Sequence, residues 1–384
     1  MRSKNKFSIL NSQFLIIRDE WHRVWHDEGV VLIVVFALFI YSISYSLGYG
    51  GEVLNEVPVA VVGSSNGSIS RTLTDKLDAS PEIFVTHQTS DISEAEQLLA
   101  ERKVWGVIAI SPDLDNDIVA ERQGQVAILG DASYFLAYRE VVKGAVSVIQ
   151  AMNSEIIEQR DGSYNPTILF EQRNIFNAEL GYGIFVMPAI ILLIVQQTAL
   201  IGIGMVSATR RERGEKYPSD SPIAITIGRT LTYLAIYALT LGFMLTVHYS
   251  LFGYPMRGAW WRCAAVILPY LLAVILLAQA VGALFRRRES SIVWLLWLSI
   301  PFLLVSGVSL PPQAFPKWLY ILGKIVPSSS AVDGWIRVET MGATLSDIAP
   351  ELTLLWILVA IYGVGAIVAN RRSKILFMLG NPLC

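Results

Sequence analysis

The sequence is poor in charged residues and rich in apolar ones. Only 16% of its 384 residues are Asp, Glu, Lys or Arg, whereas 53% are hydrophobic. A soluble domain carries about 25% charged residues, so this composition excludes a chain that is water-soluble along its whole length. Two cysteines, Cys263 and Cys384, are too few for a disulfide framework or a zinc site.

Two further absences limit the chemistry. No Lys is followed by Ser or Thr, so the chain lacks a Walker A loop and is not a P-loop ATPase by itself. His22 and His26 have the spacing of two metal ligands on a helix, but no third ligand lies nearby, and we predict no metal site. The basic residues form short clusters at the ends of apolar runs, which does not indicate a nucleic-acid partner.

Six long apolar runs are present. A helix needs about 20 apolar residues to cross the hydrocarbon of a membrane, and none of the runs has a charged residue at its centre. That absence argues against an ion-coupled carrier. The sequence therefore predicts an α-helical polytopic membrane protein with six transmembrane helices, at residues 30–48, 181–205, 227–252, 264–285, 291–309 and 352–369.

Basic residues are concentrated on one side of these helices. They precede the first run and follow the second, fourth and sixth runs, so the positive-inside rule predicts cytoplasmic N- and C-termini, with 370–384 as a cytoplasmic tail. In residues 1–29, apolar side chains recur at helical spacing and predict an amphipathic helix in the membrane interface. These side chains are Phe7, Leu10, Phe14, Ile17, Trp21 and Val24.

Two segments between the runs have a different character. Residues 49–180 alternate strand-like and helical stretches, which predicts an inserted extracytoplasmic α/β domain between transmembrane helices 1 and 2. The four strand-like runs are Val57–Val62, Ile83–Thr86, Trp105–Ile110 and Val126–Leu129. Residues 310–351 are short apolar pieces separated by prolines, and they predict re-entrant or interfacial helices at the outer leaflet.

Polar residues inside the apolar runs allow two interpretations. Gln196, Gln197, Thr198 and Gln279 either form interhelical hydrogen bonds or line a translocation path. The loop 206–226 contains the densest mixed-charge run of the chain, at residues 210–216. This run is either a solvated loop or a docking surface whose alternating signs select a partner.

Several motifs, in order, resemble those of permease subunits of type-2 ABC exporters with a large extracytoplasmic domain. Val57–Val62, followed by Ser70-Arg71-Thr72-Leu73, is similar to the opening strand and helix of that domain. Arg211–Gly214, followed by Pro222, resembles the loop that couples to the ATPase. The stretch from Ser306 to Arg337 resembles the outer re-entrant segment. The resemblance covers nearly the whole chain.

The resemblance implies half of an exporter in a bacterial cytoplasmic (inner) membrane. Its partners would be a cytoplasmic ABC ATPase that holds ATP and Mg, a second permease (identical or a sister subunit), membrane lipids and an envelope or periplasmic adaptor. The chain itself would bind no cofactor and catalyse no reaction. The implied coupling residues are Arg210, Arg211, Glu212, Arg213, Gly214, Glu215, Lys216 and Pro222, and the implied outer-segment residues are Ser306, Gly307, Pro312, Pro316, Trp318, Pro327 and Arg337.

Two other functions remain open at this point. The chain could be a membrane-anchored protein whose outer domain binds an envelope partner, or a carrier driven by an ion gradient.

Overall fold

The computed structural model describes residues 2–49, 55–63, 67–130, 135–159, 182–306 and 315–378. Two compact units are present: Met1–Gly50 with Ile175–Cys384, which we call the membrane unit, and Gly51–Asn174, the inserted unit. Gly307 and Pro312 of the implied outer segment lie outside the described residues.

The membrane unit begins with α1 (Arg2–Trp25), a short connection and a second, apolar helix. That second helix consists of α2 (Glu28–Val31), a π-helical turn (Leu32–Phe36) and α3 (Ala37–Tyr49). Asp27 caps its first turn by accepting a hydrogen bond from the Val30 amide, because the first amides of a helix have no partner within the helix.

The inserted unit is an α/β fold, as its sequence pattern predicts. Its strands are β1 (Val57–Val62), β2 (Ile83–Thr89), β3 (Gly106–Ile110) and β4 (Val126–Gly130), and its helices are α4 (Ser68–Asp78), α5 (Ile92–Ala100), α6 (Leu114–Val119) and α7 (Phe135–Gln159). The sheet order is β2-β1-β3-β4, with β4 antiparallel to its neighbour and the other pairs parallel.

Both faces of the central strand β1 are covered. Val59 and Val61 belong to one buried cluster, with Leu73 of α4 and Val141 of α7. The alternate residues of β1 belong to a second cluster that includes Ala95 of α5. Since successive side chains of a strand point to opposite faces, the continuous apolar run of β1 reflects burial on both sides.

The rest of the membrane unit is helical. Its helices are α8 (Tyr182–Glu212), α9 (Pro222–Phe243), a π-helical turn (Met244–His248), α10 (Tyr249–Phe252), α11 (Trp260–Gly282), α12 (Arg288–Trp297), α13 (Ser299–Val305), α14 (Lys317–Gly323), α15 (Pro327–Glu339) and α16 (Ala349–Met378). The described residues contain six helices long and apolar enough to cross a membrane, as predicted: Glu28–Gly48, Val186–Glu212, Pro222–Phe252, Trp260–Gly282, Arg288–Val305 and Ala349–Arg371.

Helix α8 is the centre of this bundle and packs against α3, α11, α12 and α15. A Cβ atom at Gly282 of α11 would lie 3.1 Å from the Cα of Gly204 in α8, so two glycines allow the two helices to approach closely. Helix α8 continues to Glu212, and α9 starts at Pro222. The connection between them is therefore shorter than the predicted loop 206–226.

The fifth apolar run is interrupted between α12 and α13. Pro301 has no amide hydrogen to donate to the carbonyl of Trp297, where α12 ends. In the bundle, Gln197 of α8 donates a hydrogen bond to the nearby Leu295 carbonyl, which holds this weakened part of the helix.

Candidate functional site

Helix α1 lies against α9, and one stripe of its surface is buried. Ile16, Glu20 and Val24, spaced four residues apart, have no exposed surface and therefore lie on one face of the helix. Trp21 and Trp25 on another face are exposed, which suits a helix in the membrane interface. The buried stripe differs from the predicted apolar stripe: both contain Val24, but Phe14 and Trp21 of the predicted stripe are exposed, and the carboxylate of Glu20 is buried instead.

Glu20 is ionised and fully paired inside the protein. Its Oε1 accepts hydrogen bonds from Arg229 Nε at 2.7 Å and from the Tyr233 hydroxyl at 3.1 Å. Its Oε2 accepts a bond from Arg210 Nη2 at 3.3 Å. Burial raises the pKa of Glu20, but the positive charges of Arg229 and Arg210 outweigh that effect and leave it below the ordinary value.

A second set of charges, which is half-buried, extends from Glu20 and its partners toward the loop after α8. Asp19 accepts hydrogen bonds from Arg23 at 3.2 Å and also from Arg210. Arg23 in turn forms an ion pair with Glu215. Burial raises the pKa of Asp19, yet the hydrogen bonds and charges of both arginines lower it further than burial raises it. Alternating charges thus tie α1 to the end of α8 and to the loop behind it.

The remaining side chains at the end of α8 bind other parts of the bundle. Arg211 donates to the carbonyls of Gly282, Ala283 and Phe285, at and beyond the end of α11, where helix carbonyls lack partners. Glu212 accepts a hydrogen bond of 3.0 Å from the Arg288 amide at the start of α12.

Arg288 extends the same network back to the N-terminal segment. Its Nη2 donates to Asp27 Oδ1 at 2.7 Å. The acidic residues of the 210–216 run, which the sequence suggested for docking, therefore have partners within this chain: the Arg288 amide for Glu212 and Arg23 for Glu215.

Only part of the run is directed outward. Arg213, Gly214 and Lys216 are exposed, as is Glu212 beside its bond to the Arg288 amide, and Pro222 at the start of α9 is half-buried. Gly214 has a φ of 62°, a left-handed conformation that glycine adopts without steric cost, and it turns the chain just after α8. Docking of an ATPase on this surface stays a prediction, and it now depends on the exposed residues.

The four residues predicted for a translocation path each bond to another helix or to its start. Gln196 accepts a hydrogen bond of 3.0 Å from the Ser328 amide of α15, and Gln197 donates to Leu295 of α12. Thr198 accepts a bond from the Tyr237 hydroxyl at 3.2 Å, and Gln279 donates to the Thr230 hydroxyl at 2.9 Å. These contacts favour interhelical hydrogen bonding, and the path remains a prediction.

The described part of the outer segment consists of two short helices. Helix α14 follows Pro316 and exposes Trp318, whereas α15 starts at Pro327 and packs against α8, α11 and α16. Arg337 donates to the Asp347 carbonyl at 2.6 Å. Ser306, at the other end of the segment, is buried. The re-entrant or interfacial arrangement of this segment stays a prediction.

Sequence reasoning missed the most buried charges of this site. Arg229 lies just inside the predicted run 227–252, at its end and away from its centre, and is 1% exposed. Burial of Glu20 could have been suspected from its spacing with Ile16 and Val24, but its partner Arg229 is 209 residues away. No cluster of three potential metal ligands occurs in the described ranges.

Comparison with known proteins identifies the family. Residues 29–368 match the family described as ABC-2 family transporter protein. The chain is 19% identical over 362 residues to a protein named probable multidrug ABC transporter permease YbhR from Escherichia coli strain K12, which covers 93% of this chain and 98% of that protein. The protein of the same name from Escherichia coli O157:H7 gives the same values. With its six candidate membrane helices, this chain belongs to the ABC-2 family of transporter proteins.

Proposed function

We propose that the chain is the membrane subunit of an exporter, moving substrate outward across a bacterial cytoplasmic membrane with ATP hydrolysed by a separate subunit. The family match supports a transport role, and the sequence contains no Walker A loop. The related proteins are named probable multidrug permeases, which favours drugs as the substrate class.

The network of charges around α1 carries the proposal. It joins α1, the end of α8, the start of α9 and the start of α12 through Glu20, Arg210, Arg229 and the Arg288–Asp27 pair. A push on the exposed loop after α8 is therefore transmitted to several helices at once, since buried ion pairs resist separation. That is what a permease needs if ATP binding occurs on another protein.

The remaining parts of the complex follow if transport and ATP hydrolysis take place on separate subunits. ATP and Mg bind to the ATPase subunits, and the permease acts with a second permease, either a copy or a sister subunit. Both termini and the loop after α8 face the cytoplasm, and the inserted unit faces outward, where an envelope adaptor could bind.

An ion-coupled carrier is the weaker alternative at this site. Glu20 and Arg229 would be its first candidates, but each is held by the other and by additional partners. A carrier needs an internal charge that can release its ion, and this pair is arranged to stay ionised. A membrane-anchored protein that only binds an envelope partner through its outer domain would not need such a connection between four helices.

The test is reversal of an exposed charge on the loop. We expect Arg213→Glu to reduce recovery of the ATPase in a pull-down at least tenfold and to reduce transport with it, while the permease remains abundant in the membrane. The physical reason is that one wrong charge in a desolvated interface costs about 2–5 kcal/mol. Arg211 is unsuitable for this test because its guanidinium supports the end of α11.

Arg286→Glu is the matched control, since Arg286 is another exposed arginine beside a membrane helix. It should leave ATPase recovery unchanged. Normal recovery and normal transport with Arg213→Glu would overturn docking on this loop.

A further inference from the structure

A single buried carboxyl group lies at the end of α15, far along the chain from the α1 network. Glu339 is the last residue of α15 and is 1% exposed. It takes part in no ion pair with any residue that the structure describes, and its Oε1 makes no hydrogen bond of good geometry there. Its other oxygen, Oε2, accepts a bond of 2.8 Å from the Thr340 hydroxyl.

The side chains that interact with this carboxyl are neutral. From α10 comes the Tyr249 phenol, whose hydroxyl also lacks a hydrogen bond of good geometry. From α11 comes the Cys263 thiol. Arg257 bonds through its backbone amide to the Glu339 carbonyl at 2.8 Å, but its side chain is exposed.

Two more titratable groups lie just beyond the neighbours of the Glu339 carboxyl. The Tyr254 ring lies edge-on to Tyr249, with centroids 5.4 Å apart, and His248 bonds to Ser46 at 3.0 Å. No described residue forms an ion pair with Glu339: Arg262 of α11 donates to the Gly342 carbonyl at 3.2 Å, and Glu351 of α16 pairs with Arg337. An ionised carboxylate without a cation is very costly in such a place, whereas a protonated one costs much less.

The local backbone supports a specialised role. Residues Met244–His248 form a π-helical turn immediately before Tyr249, and isolated π turns inside α-helices often mark functional sites. Burial raises the pKa of Glu339 to about 8, against smaller opposing effects from the hydroxyls of Thr340 and Tyr249. The protonated, neutral form of the carboxyl is therefore favoured at pH 7.

We propose that Glu339 is a proton-binding site: it holds a proton in the conformation described here and releases it to water when α15 separates from α10 and α11. The carboxylic acid becomes a carboxylate and the proton enters the solvent, so no other reactant is needed. This inference rests on the proposed transport function. It means that each permease subunit takes up one proton and releases one proton in each transport cycle.

The direction of the pH effect follows from the raised pKa. An exposed glutamate ionises near pH 4.5, whereas the buried one ionises near pH 8. Between these values only the exposed form loses its proton, so the packed conformation is progressively disfavoured as the pH rises from about 4.5 to 8. Below this window the stabilisation is complete, and above it no further change occurs.

The first experiment compares the thermal midpoint of the full-length permease with that of Glu339→Gln from pH 5 to pH 9. Glutamine imitates the protonated acid, so the wild-type midpoint should fall relative to the variant up to about pH 8 and then level off. Asp347→Asn is the control, since hydrogen bonds from Thr344 lower the pKa of this exposed carboxyl; its difference from wild type should stay constant. A constant difference for Glu339→Gln would overturn the proton site.

The second experiment measures transport against pH with the ATPase present. Wild-type transport should depend on pH between 6 and 9, and Glu339→Gln should remove that dependence. Identical pH profiles would overturn the link to the cycle. The thermal measurement needs no ATPase, so its outcome is independent of whether docking on the loop after α8 is correct.

Discussion

At the scale of single residues, the pairing of Glu20 with Arg229 is the feature that most constrains this protein. Both side chains are almost completely buried, and Glu20 has three donors around it: Arg229, Arg210 and Tyr233. Removing two charges from water is costly, and their attraction repays the cost only when the geometry and the additional hydrogen bonds are good. Here both conditions are met.

We predict that Glu20→Gln lowers the free energy of unfolding by about 3–5 kcal/mol, because it leaves Arg229 buried without its counter-charge. The double variant Glu20→Leu, Arg229→Met should be closer to wild type, since Arg210 retains Asp19 as a partner. Thermal unfolding of the solubilised protein measures both. Glu28→Gln, an exposed carboxylate in the next helix, is the control. Equal loss in the single and double variants would contradict a specific ion pair.

At the scale of elements, α8 acts as the central support to which other helices are tied. The side-chain amides of two adjacent residues of α8 bind two different neighbouring helices. Gln196 binds the first turn of α15, and Gln197 binds α12 just before its break. Adjacent helix residues point about 100° apart, so one pair of side chains reaches in two directions.

We predict that Gln196→Met loosens α15 selectively. The Ser328 amide would lose its acceptor, at a cost of about 1–3 kcal/mol for a buried unpaired donor. Hydrogen exchange should therefore become faster in α15 and stay unchanged in α12. Gln197→Met provides the matched comparison, with the opposite expectation. Faster exchange in both helices from either variant would indicate general destabilisation of α8 instead.

Strands and helices, which depend on repeating patterns of residues, could be predicted well from the sequence. Contacts between residues far apart in the chain could not. The strand-like run Val57–Val62 is β1 at the same boundaries, because continuous apolar residues signal burial on both faces. The six apolar runs also correspond to helices. The partners of Glu212 and Glu215 lie on other helices, and no local pattern indicates them. For that reason the mixed charges of the loop suggested an external partner, although several have internal ones.

At the scale of the whole molecule, the chain consists of one continuous and one discontinuous unit. It leaves the membrane unit at residue 50 and returns at residue 175, with the inserted unit between. The last described helix before this insertion ends at Tyr49, and the first one after it begins at Tyr182.

We predict that the inserted unit faces outward and the loop after α8 faces inward, as the basic residues indicate. In a background with Cys263→Ala and Cys384→Ala, a cysteine at the exposed Glu96 of α5 should react with a membrane-impermeant maleimide in intact cells. A cysteine at the exposed Asp220 should react only after the cells are permeabilised. Labelling of Asp220→Cys in intact cells would reverse the orientation and remove the cytoplasmic docking surface.

The ion pairs of α1 also set an order of events during synthesis. The partners of Glu20 follow it by 190 and 209 residues, and the Arg288 partner of Asp27 follows by 261. While the chain is still being translated, Glu20 of α1 and Asp27 just after it therefore lack their arginine partners, and their carboxylates must stay in contact with water. They become neutralised only after α8, α9 and the start of α12 have been made. In a nascent or truncated chain, the carboxylates of the N-terminal segment are thus unpaired and hydrated. In the finished chain they are paired with arginines, so their pairing reports that the membrane unit is complete.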